Sequence, residues 1–154
     1  MKKILLLSVL SLFIMMVGCS SEGKDNIYGE YNFEEVSYLS PLSSSLVDSL
    51  KERMKDSKYI IQEDLFKVQT SEFTIEVISP KYVKEEINPD SLALFDTNFF
   101  RKNNIKAQYS IYDQDGNKTN SILFVSPYDL WISTNTNIAP NGQLVIFYIF
   151  KLSN

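Results

Sequence analysis

From Lys58 onward the chain keeps returning to a two-residue alternation of apolar and polar side chains, and this constrains the fold more than any other feature. Phe66 and Val68 alternate with Lys67 and Gln69; Phe73, Ile75 and Val77 with Thr74 and Glu76; Ile105, Ala107, Tyr109 and Ile111 with Lys106, Gln108 and Ser110. Successive side chains of an extended backbone point to opposite faces, so such stretches are half-buried strands. Further strands are expected at Tyr59–Gln62, at 82–87, at 118–125 and at Leu130–Thr134, which carries Trp131. Turn signals lie between them: Glu63-Asp64, Ser71-Glu72, Pro80, the run Asp113 to Asn117, and Pro127-Tyr128-Asp129. In the run from Asp113, Gly116 and Asn117 tolerate the positive φ that a tight hairpin needs. Gln143–Leu152 is the most apolar segment, and its unbroken stretch from Leu144 to Phe150 implies burial on both faces. Residues 135–142 read as a long polar connection, 96–104 as a loop interrupted by Phe99-Phe100, and Asn88 to Phe95 as a short helical turn. Eight or nine short strands joined mostly by hairpins predict a mainly β domain, an antiparallel meander forming a small barrel or a strongly curved sheet.

One amphipathic helix is expected after the first strand. Leu46, Leu50 and Met54 recur every four residues with Val47 beside them, while Asp48, Lys51, Glu52 and Lys55 face elsewhere. That stripe packs on something apolar. Ser45 followed by Asp48 is close to a capping box at its start. The first strand, 27–38, places Tyr31 and Phe33 on one face and Val36 and Tyr38 on the other, with a bulge at Glu34-Glu35 where the phase changes.

The N-terminus carries an export pattern. Lys2-Lys3 precede an apolar run from Ile4 to Val17, which is short for a membrane span of about 20 residues and suited to a signal peptide. Met16-Val17-Gly18-Cys19 then resembles the lipobox of bacterial lipoproteins. The resemblance implies that Cys19 receives a diacylglycerol on its sulfur and that a signal peptidase cuts between Gly18 and Cys19. Several buried acyl methylenes, at about 0.8 kcal/mol each, would hold the chain stably on a membrane. Ser20 stands where an Asp would retain an enteric lipoprotein in the inner membrane, which implies a cell-envelope location at the outer membrane. The expected organisation is a signal peptide over 1–18, a flexible tether over 19–26 and one β-rich domain over 27–154.

Composition excludes whole classes of chemistry. The chain has no His and a single Cys. That removes Ser-His-Asp hydrolases, His-based zinc sites and, with Cys19 lipidated, thiol catalysis. Without the signal, thirteen basic residues face nineteen acidic ones, a net charge of −6, so phosphate-rich nucleic acid is not an expected partner. Asp113–Asn117 fails as an EF-hand, because Gly116 in sixth place puts Ile111 and Ile122 at ligand positions. The adjacent acid pairs Glu34-Glu35, Glu63-Asp64 and Glu85-Glu86 point to opposite faces of a strand and cannot converge on one substrate atom. Ser45 and Ser49 are followed three residues later by Asp48 and Glu52, not by the Lys of a Ser-x-x-Lys hydrolase. A non-enzymatic protein with no cofactor and no bound metal is expected.

Tyr28, Tyr31, Tyr38, Tyr59, Tyr109, Tyr112, Tyr128 and Trp131 are available to line a cavity or a partner-binding face; for the cavity the candidates are Tyr31, Phe33, Tyr109 and Trp131. Gly29-Glu30-Tyr31 at the start of a strand, the helix after it, the meander and the closing Tyr148-Ile149-Phe150-Lys151 resemble small lipocalin-like domains, with Tyr31 where Trp is common. That resemblance implies a barrel with an apolar interior that binds a small hydrophobic molecule or serves a structural role. Two functions follow: a membrane-anchored β module binding an apolar ligand or a protein partner without catalysis, or an enzyme inhibitor or immunity protein acting through the polar loops 96–104 and 135–142. An enclosed apolar pocket of about 300 Å³ or more favours a ligand. A filled core with projecting acidic loops favours inhibition. A hydrolase working without His is the least supported reading.

Overall fold

The computed structural model describes residues 26–88, 92 and 96–154. The signal peptide with Met16, Val17 and Gly18, the lipidation site Cys19, nearly all of the tether, and most of the helical turn expected through Phe95 lie outside the described residues.

The fold is mainly β. The elements are β1 (Gly29–Leu39), α1 (Val47–Met54), β2 (Lys58–Ile61), β3 (Leu65–Gln69), β4 (Thr74–Ile78), β5 (Lys81–Glu86), α2 (Asn98–Lys102), β6 (Ala107–Tyr112), β7 (Lys118–Val125), β8 (Leu130–Ser133), β9 (Thr136–Ile138), β10 (Leu144–Ile146) and β11 (Tyr148–Ser153). Nine strands form one curled antiparallel sheet in the order β4-β3-β2-β1-β11-β8-β7-β6-β5, and β9 and β10 form a separate hairpin.

The curl follows from the topology. Every neighbouring pair in the large sheet is antiparallel, so the two edge strands of a nine-strand sheet run in the same direction. Those edges, β4 and β5, are also consecutive in sequence and joined by Ser79-Pro80 alone. The chain therefore leaves one edge and continues along the other without reversing, as one bent strand whose first half pairs with β3 and whose second half pairs with β6. β1 lies between β2 and β11 with staggered partners: Gly29 to Asn32 pair with β2, and Asn32 to Leu39 with β11. The corner at Ser79-Pro80 curls the sheet round on itself as a half-barrel, with no ladder between β4 and β5 among the described residues. At the β4–β5 corner Ser79 takes φ 49° and donates its backbone N–H to Asp64 O at 2.8 Å. Across the seam, Tyr82 of β5 donates its hydroxyl to Gln62 O in the β2–β3 turn at 3.0 Å.

The concave face holds the main core. Tyr59, Ile61, Phe66, Val68, Ile111, Leu123, Ile132 and Phe150 are all fully buried there, and Leu50 and Met54 of α1 pack onto it from outside the sheet. The convex face carries a second core of Ile122, Phe124, Trp131 and Ile149. It is covered by Phe100 of α2, by Leu92 and Ile105, and by Ile146 of the β9–β10 hairpin. β11 thus has Phe150 in one core and Ile149 in the other, which is the two-faced burial its apolar run implies.

Several local expectations need correction. β1 contains two register shifts, at Phe33/Glu35 and at Val36/Tyr38. The first is the expected bulge, but it returns Val36 to the side of Phe33; the second sends Tyr38 to the convex core alone. The capping box is not formed: the cap position is Leu46 in an extended conformation, with no side-chain hydrogen bond. Ser45 lies one residue too far out, and its N–H goes instead to Ser43 Oγ. The loop at 96–104 contains α2, because burying Phe100 in the convex core rewards a helical turn. The polar connection at 135–142 contains β9, and the segment 143–152 is two strands, since residues 144–146 leave the large sheet to pair with β9.

Candidate functional site

The four aromatic residues nominated for a cavity do not surround one. Tyr31, Phe33 and Tyr109 belong to the concave core, whereas Trp131 faces the convex core and meets Phe99 edge-on at 6.3 Å. Alternation along β8 decides this, since Leu130 and Ile132 take the concave side. Tyr31 lies over Gly29: a Cβ on that glycine would come within 3.2 Å of the ring and hydroxyl atoms. The spacing Gly29-Glu30-Tyr31 therefore has a steric cause. The Tyr31 hydroxyl donates to Ile27 O at 3.1 Å, tying the incoming chain to the curled sheet, and burial pushes its pKa up.

The concave interior is packed by rings. Phe150 meets Phe33 edge-on at 5.5 Å and stacks on Tyr148 at 4.7 Å. Tyr59 is fully buried, and desolvation raises its pKa strongly, the Ser57 hydroxyl offsetting this in part. Ile27, just before β1, and Leu50 and Met54 of α1 are buried in this same core. Tyr148, inside the apolar run from Leu144 to Phe150, packs on this core, and so does Tyr82, whose ring the alternation does not single out because it stands two residues after Pro80.

At the Ile27 end lies an open groove of about 240 Å³. Its apolar floor is Ile27, Tyr31, Val125, Leu130 and Leu152; Glu34 and Asp129 stand on its rim. Lys151 places Nζ 3.2 Å from a carboxylate oxygen of each. These contacts, with Asp129 first and Glu34 second, raise the Lys151 pKa. Tyr128, also on the groove, is 92% exposed.

Away from that groove stand exposed apolar side chains, two of which, Leu46 and Val47, the sequence places on the apolar stripe of the helix. Leu46 is 75% exposed and Leu42 48%, with Val47 beside them. The fourfold spacing of Leu46, Leu50 and Met54 predicts one buried stripe, yet only Leu50 and Met54 reach the core. Leu46 is the cap, and its extended backbone turns its side chain off the helical face.

A tight carboxylate contact lies on the convex side of β5 and β6. Glu85 Oε2 accepts from Ser110 Oγ at 2.8 Å and from Gln108 Nε2 at 3.1 Å. Burial opposes its ionisation, but these two bonds and the Lys118 charge outweigh it, so its pKa falls below the usual value. On β8 and just beyond, Trp131 Nε1, Ser133 Oγ and Thr134 Oγ1 are buried without a hydrogen-bond partner. Asp113 closes its hairpin by accepting from Asn117 N at 2.8 Å and Asn117 Nδ2 at 3.1 Å, so its carboxylate is spent on the turn. Among the described residues, no group of three or more acidic, His or Cys side chains is placed to hold a metal ion. The chain matches no protein-family model, no curated protein and no solved structure.

Proposed function

We propose that the chain is a lipoprotein of the cell envelope, held at the outer membrane by acyl chains on Cys19. Its barrel acts there without catalysis, by engaging a protein partner through its surface and not a small apolar molecule within. The observation that carries this reading is the contrast between the two apolar regions. The concave interior is filled by Tyr59, Phe66 and Phe150, while Leu42 and Leu46 stand in solvent at the end of β1 remote from Asn26. Large apolar side chains left exposed within a few residues of one another cost solubility, and partner-binding sites are where such groups recur. The lipocalin-like likeness belongs to the same proposal, supported by the curled sheet and the Gly29–Tyr31 contact.

The inhibitor alternative draws less support. Segment 96–104 buries Phe100 and carries Arg101 and Lys102, and segment 135–142 holds no acid; neither is a projecting acidic loop.

A photo-crosslinking residue at position 46 tests the reading in intact envelopes. The expected result is a discrete protein adduct that disappears when Val47→Asp is added, with no adduct from a probe at Ile138, another strongly exposed apolar side chain. Absence of an adduct at 46 counts against the surface reading. A stoichiometric small molecule seen by native mass spectrometry of the detergent-purified lipoprotein would return it to an interior ligand. Cys19→Ser should abolish fatty-acid labelling and release the protein from the membrane fraction.

A further inference from the structure

The chain enters the curled sheet beside the most exposed aromatic side chain among the described residues. Asn26 and Tyr128 border the same groove, and Tyr128 is 92% exposed. Only seven peptide units separate Asn26 from Cys19. Fully extended they span about 25 Å, and as a flexible coil about 15 Å. β1, with 11 residues, is about 35 Å long before its bulges shorten it. With Cys19 fixed in the outer edge of a bilayer, the Asn26 end of the barrel must stay close to the lipid, and the Leu46 end can stand well away.

Resting on the lipid-anchor reading, we infer that the β7–β8 turn is a membrane contact, with Tyr128 inserted at the level of the lipid headgroups. The turn is built to present that ring. Ser126 N donates to Asp129 O at 3.0 Å. Ser126 Oγ accepts from Tyr128 N at 3.3 Å and from Asp129 N at 3.1 Å. Pro127 fixes the backbone between them. A rigid turn loses little entropy on docking. A phenol has an apolar body and a polar tip, which suits the boundary between acyl chains and water. The neighbouring acids do not stand bare: Lys151 bridges Glu34 and Asp129, so one net negative charge remains among the three. The occupant is therefore a lipid surface with little negative charge, recognised by interfacial burial of the ring and not by charge.

The test uses the full lipoprotein, purified from envelopes and reconstituted in phosphatidylcholine vesicles. Tyr128→Cys and Leu46→Cys are each labelled with an environment-sensitive fluorophore; an acylated Cys19 offers no competing thiol. The expected result is a blue shift and loss of emission with headgroup-quencher lipid at position 128, and neither at 46. Equal, water-like emission at both positions overturns the inference, and a lipid-like signal at 46 alone reverses the orientation. Mass spectrometry of the same samples separates the two readings. Acylated Cys19 with an aqueous label at 128 refutes only the membrane contact, whereas unacylated Cys19 refutes the anchor and the contact together.

Discussion

Phe150→Ala is the perturbation that bears most directly on whether the curled sheet encloses a solid core or a container. The ring is fully buried at the centre of the concave face, stacked on Tyr148 at 4.7 Å and edge-on to Phe33 at 5.5 Å. Removing a fully buried phenylalanine side chain forfeits about 3 kcal/mol of transfer free energy. Aromatic pairing adds about 0.5–1.5 kcal/mol per contact beyond area, and a void that does not collapse costs about 24 cal/mol per Å³. Compact unfolded chains already hide part of that area, which trims the sum. The net expectation is about 3–5 kcal/mol, the usual range for such a truncation. For a domain of this size each kcal/mol moves Tm by roughly 3–5 °C, so the midpoint should fall by about 10–20 °C in a calorimetric or circular-dichroism melt. Walls of a ligand-filled or hydrated cavity relax more cheaply. A loss below about 1 kcal/mol would refute the claim that the interior is packed, and with it the case for a surface partner.

Three further outcomes follow. Gly116→Ala should cost about 1 kcal/mol by chemical denaturation, because Gly116 sits at φ 82° with nothing within 4 Å, so the loss is backbone strain alone and a flat result would contradict the turn geometry. Tyr31→Phe should lose about 1 kcal/mol and raise amide exchange at residues 27–29, since the hydroxyl ties Ile27 to the curled sheet; unchanged exchange would exclude that tie. The depressed Glu85 pKa stabilises the fold above the unfolded glutamate value of about 4.3, and this contribution is lost as pH falls through the lower folded value. The stability gap between the native protein and Glu85→Gln should therefore shrink as pH drops below about 4, and a gap independent of pH would oppose the assignment.

Much of the sheet can be read from residues two apart. The alternation of Phe66 and Val68 with Lys67 and Gln69 sets β3, and the registry then pairs Lys67 with Glu76 across β4, where their side chains form an ion pair at 2.8 Å. The hairpin at Asp113–Asn117 follows from side chains that bond their own backbone, a local cause visible without the fold. The candidate site is less legible. Leu46 belongs by periodicity to the apolar stripe of α1, but periodicity does not say where the helix begins, and one residue of offset turns a core side chain into a surface one. Tyr128 is marked only as part of the turn signal Pro127-Tyr128-Asp129; its standing comes from sharing a groove with Asn26.

The order of apolar and polar residues was enough to make this chain β-rich and antiparallel, with a helix after the first strand and a last strand buried on both faces, because backbone geometry fixes which side chains share a face. Which face is inside was decided by pairing between distant segments. The two shifts in β1 separate Val36 from Tyr38, alternation on β8 carries Trp131 away from Tyr31, and Ser79-Pro80 lets one strand leave one edge of the sheet and complete the other. These outcomes depend on registry and on cores that form on both sides of one sheet, and a pattern of period two is the same whichever side a core occupies.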